Sequence, residues 1–126
     1  MRIWDFNQEL EVKNIDEIEA ILKIRYAPGY NSFWLDYEEL YPCISILTKA
    51  DLAYVHYFPG DRHAGFRSVG NVANLEGEMT IFRLDTINQE QPILNDAVIP
   101  FSSALAVARD FFHAKSLPRS IKWLEL

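Results

Sequence analysis

The amino-acid sequence predicts an α+β domain: an antiparallel sheet of about six or seven strands with two helices packed on one face. Three observations predict it. Runs rich in β-branched and aromatic residues recur along the chain, only two segments carry a helical period, and short turns join successive strand runs. The 126 residues, 49% of them hydrophobic and 13% aromatic, have the size and composition of a single domain, 1–126, with its own core.

From the N-terminus, Arg2 to Phe6 alternates in side-chain character with period two and reads as a strand. Asn14 followed three positions later by Glu17 is a capping-box variant. Ile15, Ile18, Ile21, Leu22 and Arg25 then recur at helical spacing, which predicts a helix from about Ile15 to Tyr26 that Pro28-Gly29 stops. Ser32–Tyr37 and Cys43–Thr48 read as strands separated by Pro42. The three residues Lys49-Ala50-Asp51 join the second of these to Leu52–Phe58 as a hairpin. Pro59 to Gly65 is turn chemistry, Phe66 to Val69 resumes an extended pattern, and Met79–Leu84 and Asp96–Ile99 give two further strands. After Phe101-Ser102-Ser103, the residues Ala104, Leu105, Ala108, Phe111 and Phe112 share one helical face to about Lys115. Ile121 to Glu125 closes the chain as a strand. Two helices on one face leave the other face open to solvent or a partner, presenting Trp34, Asp36, Tyr54, His56 and Phe82.

Composition excludes several function classes. Lys and Arg total 12 against 18 for Asp and Glu, a net charge of −6, the wrong sign for a surface that must neutralise phosphates, so no direct nucleic-acid partner is expected. The single Cys43 offers no internal disulfide, and no Cys/His spacing suggests a zinc site, so neither metal nor cofactor is implied. No apolar run approaches the roughly 18 to 20 residues that cross a bilayer, and the first residues lack a secretory signal. A cytoplasmic protein with no membrane partner is the expectation.

The chemically suggestive residues form no persuasive catalytic cluster. His56 alternates with Tyr54 and Phe58 and reads as a hydrogen-bonded structural histidine, and His113 as a complement to the C-terminal end of the second helix. Asp61, His63 and Ser68 superficially supply acid, base and nucleophile. No strand-to-helix nucleophile elbow accompanies them, so a small hydrolase using His63 with Asp61 or Ser68 is the second reading only. Gly65-Phe66-Arg67-Ser68-Val69-Gly70 leads into a strand instead of a helix N-terminus, which argues against a phosphate loop. Glu76 and Glu78 read as a surface turn, and Cys43 as a buried, inert thiol.

Charge is unevenly spread. Residues 1–42 hold four basic and nine acidic side chains, so −5 of the net charge lies there and −1 in the remainder. Asp36-Tyr37-Glu38-Glu39-Leu40-Tyr41 mixes acid with tyrosine as protein-binding surfaces do. The expected partner contacts are Trp34, Asp36, Tyr37, Glu38, Glu39 and Tyr41, assisted by Asp61, Arg62 and His63 on the long loop.

From Ile44 to Leu126 the order of motifs resembles a known family. These are Val55-His56-Tyr57-Phe58, the loop Gly65 to Gly70, Val98-Ile99-Pro100 leading into the helix with Ala104 and Ala108, and Leu117-Pro118 before Ile121-Lys122-Trp123. The chain resembles the first-catalogued group of immunity proteins of bacterial polymorphic toxin systems, often paired with deaminase toxins. The resemblance implies a small cytoplasmic protein that binds a cognate toxin domain and blocks it without chemistry of its own, and so without a small-molecule substrate. It transfers no catalytic residue. A scaffold with no toxin partner is a third possibility.

Overall fold

The computed structural model describes residues 1–126. Two short strands, β1 (Arg2–Trp4) and β2 (Glu9–Glu11), open the chain and pair antiparallel. Asp5 makes their turn, its Oδ1 accepting the backbone N–H groups of Asn7 and Gln8. Helix α1 (Asp16–Leu22) starts on the capping pair read from the sequence. Glu17 Oε1 accepts from the Lys13 and Asn14 amides, and Asn14 Oδ1 accepts from the Asp16 amide. The helix ends about a turn earlier than the spacing predicts. The Arg25 guanidinium donates to the carbonyls of Leu22, Ile24 and Ala50, so those acceptors are satisfied without another helical turn.

Three seven-residue strands form the centre: β3 (Tyr30–Asp36), β4 (Cys43–Lys49) and β5 (Leu52–Phe58). Their register places Phe33, Ile46 and Val55 on one rung and Leu35, Ile44 and Tyr57 on the next. These side chains form one face, and all are buried. Strand β6 (Phe66–Ser68) follows, then β7 (Met79–Arg83) and β8 (Glu90–Leu94), a single turn of 3₁₀ helix at Asn95–Ala97, and the two-residue β9 (Ile99–Pro100). Helix α2 (Phe101–His113) and β10 (Trp123–Glu125) complete the chain. The main sheet runs β10-β6-β5-β4-β3-β1-β2, with β9 beside the opposite end of β5. All of its pairings are antiparallel.

Both helices lie on the Phe33–Leu35 face. Ile18 and Leu22 from α1, and Ala104, Val107, Ala108 and Phe111 from α2, join the strand residues in one core. Burial of this stripe, at about 25 cal/mol per Å² of apolar surface, holds the helices, since seven residues are too few for an independently stable helix. No helix is long and apolar enough to cross a membrane.

The opposite face departs from expectation. Strands β7 and β8 form their own two-stranded sheet, laid over part of it. Phe82 is fully buried there with Leu47, Ile93, Ala97 and Val98, so it is a core residue and not a surface anchor. Asp85, just after β7, accepts the Trp34 indole N–H at 2.9 Å, and the Arg83 guanidinium sits 4.6 Å from the Tyr30 ring centre. Of the predicted strand Asp96–Ile99, Asp96 and Ala97 lie in the 3₁₀ turn and Ile99 begins β9. The segment that actually pairs with β7 is Glu90–Leu94, whose Pro92 is tolerated on the outer strand of a two-stranded sheet.

Candidate functional site

Antiparallel register decides which loops meet. Strand β3 ends at Asp36, β4 begins at Cys43, β5 ends at Phe58 and β6 begins at Phe66, with Cys43 opposite Phe58 and Tyr57 opposite Phe66. The loops 37–42 and 59–65 therefore leave the same end of the sheet. The two segments singled out in the sequence share that end, although sixteen residues lie between them in the chain.

Beside these loops the second face carries an apolar cleft of about 380 Å³, beyond the cover of the β7–β8 hairpin. It is lined by Trp4, Trp34, Leu40, Tyr41 and Phe58, with Asp36 and Cys43. Trp4 and Trp34 are cross-strand partners on β1 and β3, and Trp34 stacks on Phe58 with ring centres 5.9 Å apart. Phe58 stacks in turn on His56 at 4.1 Å, so the rings form a continuous row. Leu40 at the loop tip is 65% exposed and Trp4 is 38% exposed, which leaves the cleft rimmed by accessible apolar surface. Next to it, Glu38 and Glu39 join Glu11, Arg2, Tyr37 and Lys115 around a polar hollow.

Two residues expected at the surface serve the fold. Asp36 is only 6% exposed, and its Oδ1 accepts the Arg2 Nε–H at 2.9 Å. Tyr37 points to the helical side, where its hydroxyl reaches the carbonyls of Phe111 and Phe112 at 2.8 and 2.9 Å, and its ring packs edge-on against Phe111. Glu38 and Glu39 are exposed, Trp34 and Tyr41 half-buried in the cleft wall, and Asp61 and Arg62 exposed on the second loop. His63 is held inward: Nδ1 accepts the Gly65 amide, Nε2 donates to Glu125 at 2.7 Å, and the ring stacks on Phe66 at 5.1 Å.

No family model matches the chain. The double-stranded DNA deaminase immunity protein of Burkholderia cenocepacia (strain H111) is 32% identical to it over 123 residues, 97% of each chain. The chain belongs to the deaminase immunity proteins. The likeness extends through the acidic front segment, which no sequence motif had tied to the family.

In this immunity protein the acid, base and nucleophile of the hydrolase reading do not converge. Ser68 is fully buried, its hydroxyl donating to the Ala97 carbonyl at 2.7 Å and accepting the Val55 amide, while His63 is paired with Glu125. No hydrogen bond joins Asp61 or Ser68 to His63. Burial pushes the Cys43 thiol up to about 11, which keeps it protonated and unreactive at neutral pH. No cluster of three or more His, Cys, Asp or Glu is arranged to hold a metal. Glu76 and Glu78 lie exposed on the turn before β7, where the Glu76 carbonyl accepts from the Asn95 side chain.

His56 is structural in the way the sequence suggests. Its Nε2 donates to the Ala64 carbonyl at 2.8 Å, and Nδ1 accepts the Tyr54 hydroxyl at 3.0 Å, an arrangement that requires the neutral ring. Desolvation lowers its pKa below the ordinary 6.5, outweighing the backbone bond that raises it. As pH falls below 6.5 the unfolded chain therefore takes up the proton first, and stability, full above that value, declines. Denaturant midpoints measured between about pH 7.5 and 5 should fall for the wild type. The slope should shrink in His56→Gln, and an unchanged slope would refute the assignment.

Trp4, Phe58 and Glu11 carry no mark of a site residue in the sequence alone. Each reaches the site through strand pairing; the only available signal was a large indole at Trp4 in the short alternating run at the start of the sequence, a strand that lies between β3 and β2.

Proposed function

We propose that this immunity protein binds and neutralises a cognate deaminase toxin domain that acts on nucleic acid, by occluding its active site and without catalysis of its own. The observation that carries this reading is the sheet end itself. It combines exposed carboxylates at Glu38 and Glu39 with an open apolar cleft a few residues away. Charge supplies steering and aromatic surface supplies affinity, the two components that specific protein interfaces combine. A toxin that works on nucleic acid must hold a polyanion and so carries a basic groove, which an acidic protein can occupy in competition with the substrate. Asp61 and Arg62 on the neighbouring loop extend the contact, while Tyr37 supports it from within. An interface of about 1,600 Å² would engage both loops and the cleft.

On this reading the protein acts in the cytoplasm of the producing cell, with the toxin domain as its partner and no direct contact to nucleic acid, membrane or a small-molecule substrate. Coexpression with the cognate toxin domain should restore growth and yield a complex that copurifies. Persistent toxicity together with failure to copurify would refute the reading.

A further inference from the structure

We propose that the apolar cleft is an arginine socket: it receives one arginine side chain of the toxin domain, stacked on the indole of Trp4 and directed at the carboxylate of Asp36. This rests on the toxin-binding reading above and specifies the chemistry of its anchor.

Four observations favour a cationic guest with a flat head over a purely apolar one. The walls are aromatic, from Trp4, Trp34, Tyr41 and Phe58, and aromatic faces attract a guanidinium while covering its aliphatic stem. The one charged group in the lining is an acid, Asp36, which the β3 alternation places on the same side of the sheet as Trp34. The chain's own Arg2 already displays this chemistry at the edge of the cleft. Its guanidinium lies 5.4 Å from the Trp4 ring centre and its Nε donates to Asp36 Oδ1, an engagement that involves one of the two carboxylate oxygens. Finally, Arg2 is outnumbered: Glu9 approaches it at 3.8 Å, and Glu38 and Glu39 border the adjoining hollow, so the surroundings stay net negative and complement a basic partner surface. Lysine fits less well, because its compact, strongly hydrated ammonium neither stacks nor sheds water as a guanidinium does.

The test measures the affinity of the full chain for the isolated toxin domain. The key variants are Trp4→Leu, which keeps apolar bulk but removes the ring, and Trp4→Phe, which keeps a ring. Trp4 lies at the surface, so both should fold. Trp4→Leu should weaken binding roughly tenfold and Trp4→Phe by about threefold or less. Asp36→Asn, which retains an oxygen for Arg2, should weaken it roughly tenfold as well, with a flatter salt dependence. Among the toxin's surface arginines, each changed to methionine, one should lose affinity non-additively with Trp4→Leu.

Equal affinities for the Leu and Phe variants, or strict additivity for every arginine, would mean an apolar guest or none and would overturn the socket. A wild-type chain that fails to bind the toxin domain would instead overturn the inhibitor reading on which the socket depends.

Discussion

Replacing Gly65 with alanine should destabilise the protein by on the order of 3 kcal/mol. Gly65 has a φ of +100°, a conformation L-residues rarely adopt, and a Cβ built there would stand 2.4 Å from His56 Nε2 and 2.7 Å from the Tyr57 carbonyl. The conformational penalty and the steric one therefore act together. Neither neighbour yields easily, because Tyr57 contributes backbone and the His56 ring is clamped between the Tyr54 hydroxyl and the Ala64 carbonyl. The other glycines separate the two penalties. Gly29, with φ of +126° and nothing within 4 Å of a Cβ, should show the conformational cost alone. Gly60, with neither feature, should tolerate alanine or gain slightly from a less flexible unfolded chain. Urea unfolding of the three variants measures the order. Gly65→Ala unfolding at the same midpoint as Gly60→Ala would show that the loop is not held against His56.

Reversing the two exposed carboxylates, as Glu38→Lys with Glu39→Lys, should slow association with the toxin domain by tenfold or more at low salt, on the order expected for steered encounters. The substitution changes four units of charge on a chain whose net charge is −6, at the sheet end proposed to meet the partner. The dissociation rate should move less, because these side chains stand at the rim and not in the cleft. As ionic strength rises and the screening length falls towards about 3 Å at 1 M, the rates of variant and wild type should converge. Both side chains are exposed and make no hydrogen bond, so the thermal midpoint should hardly change. A stopped-flow salt series that finds equal association rates throughout would remove this loop from the encounter and leave Glu76 and Glu78 as the next acids to test.

How much was legible depended on whether the signal was local. The β4–β5 hairpin is written into two alternating rows around Lys49-Ala50-Asp51, and α1 into Asn14 and Glu17, because the groups that form these features are within a few residues of each other. The same holds for Glu38, Glu39 and Tyr41, whose acid-and-aromatic composition marks a surface without knowledge of the fold. Asp36 shows the limit. Its chemistry resembles that of its acidic neighbours, and only the pairing of β1 with β3 brings Arg2, 34 residues away, against it. The cover on the second face was hidden for a similar reason. Alternation in β5 separates two faces, but nothing in Tyr54 or His56 tells whether solvent or another hairpin lies over them. Strand β8 itself is polar, contains Pro92 and has no hydrophobic period of its own.

The two loops that share one end of the sheet are anchored in strands whose ladder does not depend on them. Residues 38–42 and 59–62, which exclude the packed Tyr37 and the constrained His63–Gly65 stretch, can accordingly change in chemistry while the register of β3, β4 and β5 stays fixed. Under the proposed mode of binding, that arrangement separates heritable variation in partner choice from the requirement to fold. A lineage meeting an altered toxin can follow it through a few loop substitutions, each tolerated individually. Cross-protection between related strains would then be decided by these nine positions and the rim of the cleft more than by identity across the whole chain.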